Sequence, residues 1–132
     1  MVSKGKILLM DDEQVILDVT DEVLKFLGYD AMFAKEGAGA VEIFSRERQG
    51  GHPFDLIILD LSVPDGMGGK EAFEKIREID PFAKVVISSG YTNDPMMTDY
   101  AKFGFSGILA KPYRISDIKA LLEKMIQKKN NF

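Results

Sequence analysis

Leu56-Ile57-Ile58-Leu59-Asp60, near the middle of the chain, sets four apolar residues directly before a carboxylate, and Leu61-Ser62-Val63-Pro64-Asp65-Gly66 follows with turn residues. An apolar run of this length, bounded by a turn signal, reads as a strand buried on both faces. Such strands belong to parallel sheets, whose neighbours need crossover helices. On either side, four more short apolar runs stand at Lys6 to Met10, Ala31 to Ala34, Lys84 to Ser88 and Ile108 to Ala110. Between them the apolar residues shift to helical spacing, as in Val15, Ile16, Val19, Val23, Leu24 and Leu27, and again in Ala72, Phe73, Ile76 and Ile79. Ile115, Ile118, Leu121, Leu122, Met125 and Ile126 give a strong last helix, whereas Gly39 to Arg48 and Asn93 to Phe103 carry a weaker pattern. Five strand–helix units predict an α/β fold, a doubly wound parallel sheet covered on both faces.

The chain has 132 residues, of which 45% are hydrophobic, enough for one sizeable core and too few for a second domain. Acidic side chains number 21 and basic ones 17, with the basic residues scattered apart from Lys128-Lys129, which argues against direct nucleic-acid or anionic-membrane binding. Without cysteine there is neither a disulfide framework nor a thiolate metal site. The lone His52, in a Gly-Gly-His-Pro loop, has no second His near it and reads as solvated. No apolar run reaches the roughly 20 residues of a membrane helix, so the protein is expected to be soluble and cytoplasmic.

In a doubly wound sheet, ligands sit beyond the carboxyl ends of the strands, where the strand order reverses. Here those ends carry Asp11-Asp12-Glu13, Asp60, Ser88-Ser89-Gly90 and Lys111-Pro112. Each piece alone has a plain structural reading: Asp as a helix cap, Ser-Gly or Lys-Pro as loop punctuation. Together they would fill one crevice with three carboxylates, a hydroxyl and an ammonium. Three carboxylates at close range repel unless a cation or protons intervene. An oxygen-only ligand set suits Mg²⁺. An Asp carboxylate is also a nucleophile in aspartyl-phosphate formation, and phosphoryl transfer needs mainly positioning and charge neutralisation.

These pieces, Met-Asp-Asp-Glu at 10 to 13, Leu-Asp-Leu-Ser-Val-Pro-Asp-Gly-Met-Gly-Gly from Leu59 to Gly69, Ser-Ser-Gly-Tyr from Ser88 and Lys-Pro-Tyr from Lys111, resemble the receiver domains of response regulators and hybrid histidine kinases. The resemblance implies a flavodoxin-like (βα)5 fold with strand order 2-1-3-4-5, one receiver domain over 1–132 with its core from about 6 to 128. It implies Asp60 as phospho-acceptor in a two-component phosphorelay. It further implies Mg²⁺, replaceable by Mn²⁺, held by Asp12, Asp60 and the backbone carbonyl of Ser62, with Asp11 reaching it through water. Ser89, rather than Ser88, resembles the hydroxyl residue that follows the phosphoryl group, because Gly90 then falls where the family has a small residue. Lys111 resembles the lysine that bonds a phosphoryl oxygen, with a cis peptide before Pro112.

A protein of this kind catalyses only its own phosphorylation and dephosphorylation. Its expected partners are a cognate histidine kinase or histidine phosphotransfer domain and a downstream protein, reached through the fourth helix, fifth strand and fifth helix. Ile108 departs from the pattern, since many receivers carry Tyr or Phe there as half of their switch. Two other readings share parts of the signal. A flavin or nucleotide binder has this fold, but Asp11-Asp12-Glu13 would repel its phosphate. A phosphatase resembling the haloacid-dehalogenase group needs a second Asp two residues after the nucleophile, where this chain has Ser62. The charge distribution gives a direct check: at about 150 mM salt, titration with duplex DNA is expected to show no binding as tight as the roughly 10 nM of specific sites.

Overall fold

The computed structural model describes residues 2–64 and 66–126; Asp65 of the Leu59 to Gly69 run, Lys128 at the expected core boundary and Lys129 beside it lie outside the described residues. The elements alternate as β1 (Lys6–Met10), α1 (Gln14–Leu27), β2 (Asp30–Ala34), α2 (Gly37–Gln49), β3 (Leu56–Asp60), α3 (Gly69–Ile79), β4 (Val85–Ser89), α4 (Pro95–Thr98), β5 (Gly107–Ala110) and α5 (Ile115–Met125). All strands pair in parallel in the order β2-β1-β3-β4-β5. This is the expected doubly wound arrangement, with the order reversing between β1 and β3.

β3 is buried at every residue, which is why its sequence is apolar without alternation. Side chains alternate across a strand, so β3 divides its residues between two cores. Ile57 and Leu59 pack with Leu8, Ile87, Phe44 of α2 and Phe73 and Ile76 of α3. Leu56 and Ile58 pack with Leu9, Val86, Leu24 of α1 and Leu122 of α5. By the same parity Asp60 falls on the α1/α5 face. The parity of β4 places Ser88 on that face and Ser89 on the other.

α1 stops at Gly28, whose φ of 94° lies in the left-handed region and whose N–H returns to the carbonyls of Leu24 and Lys25. α4 is shorter than the expected Asn93 to Phe103 helix. Asp94 caps it by accepting the N–H of Met96, but after Thr98 the bonds tighten: the N–H groups of Lys102, Phe103 and Gly104 donate to Asp99, Tyr100 and Ala101. Thr98 and Asp99 are poor helix formers, and successive three-residue turns replace the α-helical repeat.

Gly69, the first residue of α3, packs directly on the end of β3: a Cβ there would sit 2.5 Å from the Asp60 carbonyl oxygen and 3.1 Å from Ile87. Backbone cannot yield as a flexible side chain can. Gly69→Ala is therefore expected to cost about 1–3 kcal/mol in urea denaturation, the usual range for overpacking.

Candidate functional site

The site is assembled by sheet hydrogen bonds that continue one residue past the strand ends. The N–H of Asp11 donates to the Ala34 carbonyl at 3.0 Å, that of Leu61 to Ser88 at 2.8 Å and that of Lys111 to Ser89 at 2.9 Å. Residues from β1, β3, β4 and β5 are thereby fixed around one crevice. Asp11, Asp12 and Asp60 each offer a carboxylate oxygen, and these three atoms lie within 4.8 Å of one another. Asp11 and Asp60 are buried, at 1% and 3% exposure, while Asp12 is the most open of the three.

Lys111 Nζ lies 2.6 Å from Asp11 Oδ2 and 3.2 Å from Asp60 Oδ2. The remaining oxygens turn to backbone, Asp11 Oδ1 accepting the Glu13 N–H at 2.9 Å and Asp60 Oδ1 that of Ser62 at 3.3 Å. Both buried carboxylates thus have donors on each oxygen. The peptide before Pro112 is cis.

The cost of this arrangement lies mainly in desolvation. Burial pushes the Asp60 carboxyl up to about 6; Lys111 pulls it down and Asp11 adds a further upward push. Burial also works against the Lys111 charge, but its hydrogen bond to Asp11 and the charge of Asp60 outweigh this and hold the ammonium above its ordinary value. The repulsion expected among the three acids is partly relieved by Lys111 and by the more open position of Asp12.

The structure brings Asp11, Asp12, Asp60 and Lys111 together, with Ser62 and Ser89 at neighbouring strand ends. Ser89, 1% exposed, accepts the N–H of Tyr91 at 3.0 Å. Ser62 follows Leu61 on the loop leaving β3, with its N–H on Asp60. Ile108 is 38% exposed on the edge strand β5, so neither an aromatic ring nor a buried aliphatic one occupies that place. Ser88 Oγ is a buried side-chain atom without a hydrogen-bond partner among the described residues. The sequence reading set Ser88 aside in favour of Ser89, because its pairing with Asp60 appears only in the sheet register.

The model of the response regulator receiver domain matches residues 7–123. The chain belongs to that family. It is therefore a receiver of two-component signalling, and receiver domains are signalling phosphoacceptors that interact with histidine kinases or phosphotransfer proteins. Among curated proteins this receiver is similar to sporulation initiation phosphotransferase F of Bacillus subtilis (strain 168), 32% identical over 126 residues that make up 96% of this chain and 97% of that protein. It is also similar to chemotaxis protein CheY of Thermotoga maritima, 26% identical over 91% of this chain and 96% of that one. Among solved structures, a CheY-like response regulator receiver domain protein from Methanospirillum hungatei JF-1 superposes with a TM-score of 0.79 at 25% identity, covering 92% of this chain and 93% of the other. No described helix of this receiver is long and apolar enough to cross a membrane.

A carboxyl whose folded value is raised favours folding when protonated and opposes it when ionised. Between Asp60's ordinary value of 3.8 and about 6, the folded receiver binds more protons than the unfolded chain, so this group lowers stability as pH rises through that window. Asp60→Asn removes the penalty. Without metal, the variant is expected to melt above the wild type at pH 7.5, by roughly 3–5 °C for each kcal/mol relieved, and the gain is expected to vanish by about pH 4. Thermal melts in EDTA across that range check the sign.

Proposed function

We propose that Asp60 is the residue phosphorylated in this receiver, within a single domain spanning 1–132, and that a phosphohistidine on a cognate kinase or phosphotransfer domain is the donor. The observation that carries the reading is the buried, poorly solvated Asp60 carboxylate, fixed at the end of the central strand with a lysine and a second buried acid beside it. Low solvation leaves the nucleophile without a water shell to shed, and the lysine supplies charge compensation where the transferred group arrives.

The donor set fits a divalent ion, since it holds oxygens alone, carries excess negative charge and opens to solvent at Asp12. Asp12, Asp60 and the Ser62 carbonyl would hold Mg²⁺ or Mn²⁺ directly. Asp11, whose two oxygens are engaged by Lys111 and Glu13, would act through water. When bound, the ion neutralises charge on the phosphoryl oxygens. Asp60 Oδ forms the new bond to phosphorus as the bond to the donor imidazole nitrogen breaks, the nitrogen taking the electron pair. Lys111 then moves its ammonium from the carboxylates to a phosphoryl oxygen, and Ser89 donates its hydroxyl to another. The receiver in this way accelerates only its own phosphorylation and the hydrolysis that follows.

A groove beside the acceptor supports donor docking there. An open groove of about 550 Å³ beside Lys111 is lined by Val15, Ile16 and Val19 of α1 with Gly90, Pro112 and Tyr113. Val15 and Val19 are exposed despite being aliphatic, and they leave an apolar face next to the acceptor. A helical face of the donor seated there would bring its histidine to Asp60 and exclude water. The output surface is read as α4, β5 and α5, where Ile108 of β5 and Phe103 in the turns after α4 are exposed. A protein partner, rather than nucleic acid or membrane, is its expected ligand, and a cytoplasmic setting follows from that pathway.

Acetyl phosphate with millimolar MgCl₂ is expected to add one phosphoryl group, seen by intact mass, and none to Asp60→Asn. EDTA and Asp12→Ala are each expected to abolish labelling. Lys111→Ala is expected to slow it by roughly 10²-fold while Mg²⁺ binding persists in calorimetry. Equal labelling of the wild type and Asp60→Asn would overturn the assignment.

A further inference from the structure

The receiver carries a buried orphan hydroxyl on the sheet face on which Asp60 stands. Ser88 is 2% exposed and its Oγ has no partner among the described residues. A buried hydroxyl without a partner costs about 1–3 kcal/mol, so its persistence calls for an acceptor that is present in another state of the protein.

For Ser88 the register identifies that acceptor. Asp60 and Ser88 are directly paired across β3 and β4, and their side chains project from the same face. Neighbouring strands are roughly 4.8 Å apart, which puts the hydroxyl within one rotamer change of the carboxyl group. In the resting receiver both Asp60 oxygens are engaged elsewhere, Oδ1 by the Ser62 N–H and Oδ2 by Lys111. Phosphorylation alters this allocation. One oxygen becomes the bridge to phosphorus, and Lys111 is drawn to the phosphoryl group. The other, the acyl oxygen, keeps the Ser62 N–H and would still be the Asp60 atom that holds a metal, and it lies in a buried site beside a hydroxyl that has a hydrogen to donate.

We infer that Ser88 donates its hydroxyl to the acyl oxygen of phosphorylated Asp60 and shortens the life of the phosphoryl group. The inference rests on Asp60 being the acceptor. In hydrolysis, water adds to phosphorus and the bond from phosphorus to the bridging Asp60 oxygen breaks. The carboxylate keeps that electron pair, and inorganic phosphate leaves with the water's oxygen. Negative charge therefore grows on the Asp60 carboxyl group as the bond opens, and a donor already aimed at it is worth more in the transition state than in the acyl phosphate. Ser88 is distinct in this from Ser89, which lies on the opposite parity and already accepts the Tyr91 N–H.

Thr and Val have the same shape and differ at this site by the hydroxyl alone, so the test compares Ser88→Thr with Ser88→Val. Each protein is phosphorylated with acetyl phosphate in MgCl₂, freed of donor, and followed by intact mass. Ser88→Thr is expected to dephosphorylate within about twofold of the wild type. Ser88→Val is expected to be roughly two- to tenfold slower, the range of one net hydrogen bond. Ser88→Ala, which adds no volume to the core, is expected to match Ser88→Val and serves if the larger side chains prevent folding. Equal lifetimes for Thr and Val, or for Ala and wild type, overturn the inference while leaving Asp60 as acceptor. A wild type that takes no label overturns the underlying assignment instead.

Discussion

Placing an ionisable carboxylate at the buried end of the central strand is the constraint on which this receiver is organised. Asp60 follows four fully enclosed apolar residues, and its own side chain is almost without solvent. The sheet can tolerate it because Lys111 stands against it and Asp11 shares the same ammonium. Removing Lys111 would leave two buried carboxylates uncompensated, which is far costlier than the pairing is stabilising. Burial also raises the carboxyl above its ordinary value. The site is thus held at some expense to stability, with the two hydrophobic cores on either side of β3 offsetting it.

Four strands contribute to this site because the strand order reverses beside β3. β1 and β4 flank β3, and β5 lies one strand further out, so Asp11, Ser88, Ser89 and Lys111 arrive from different parts of the chain at one edge of the sheet. The ladder bonds that run past the strand ends fix these residues to within the tolerance of backbone geometry. Parity then sorts them. Asp11, Asp60, Ser88 and Lys111 share the α1/α5 face, whereas Ser89 has the opposite parity.

The surroundings are less uniform than the site. α1 and α5 follow strong apolar periodicity and cover one face fully, yet α1 also presents Val15 and Val19 to solvent along the groove beside Lys111. α4 is a single turn followed by tighter bends, and the edge strand beside it carries a half-exposed Ile108. No aromatic ring stands at position 108, and the β4 and β5 backbone that carries Ser88, Ser89 and Lys111 joins the end of β3 to this surface.

The strands, four of the five helices and the acidic, hydroxyl and lysine positions at the strand ends were legible in the sequence, because periodicity and turn chemistry are local. The continuous apolar run at Leu56 to Leu59 implied a strand covered on both sides, and that implication led to the strand ends as the place to look. The end of α4 was not legible, since apolar residues around Met96 and Met97 resemble a helical stripe whether or not the turn after Thr98 tightens. Which charges pair, and which hydroxyls are left without partners, were decided by tertiary structure alone. Lys111 becomes the counter-ion of Asp11 and Asp60, and Ser88 the neighbour of Asp60, only through strand register. The raised Asp60 carboxyl is likewise a property of enclosure. Desolvation and register arise between segments distant in the chain, so no local pattern of residues encodes them directly.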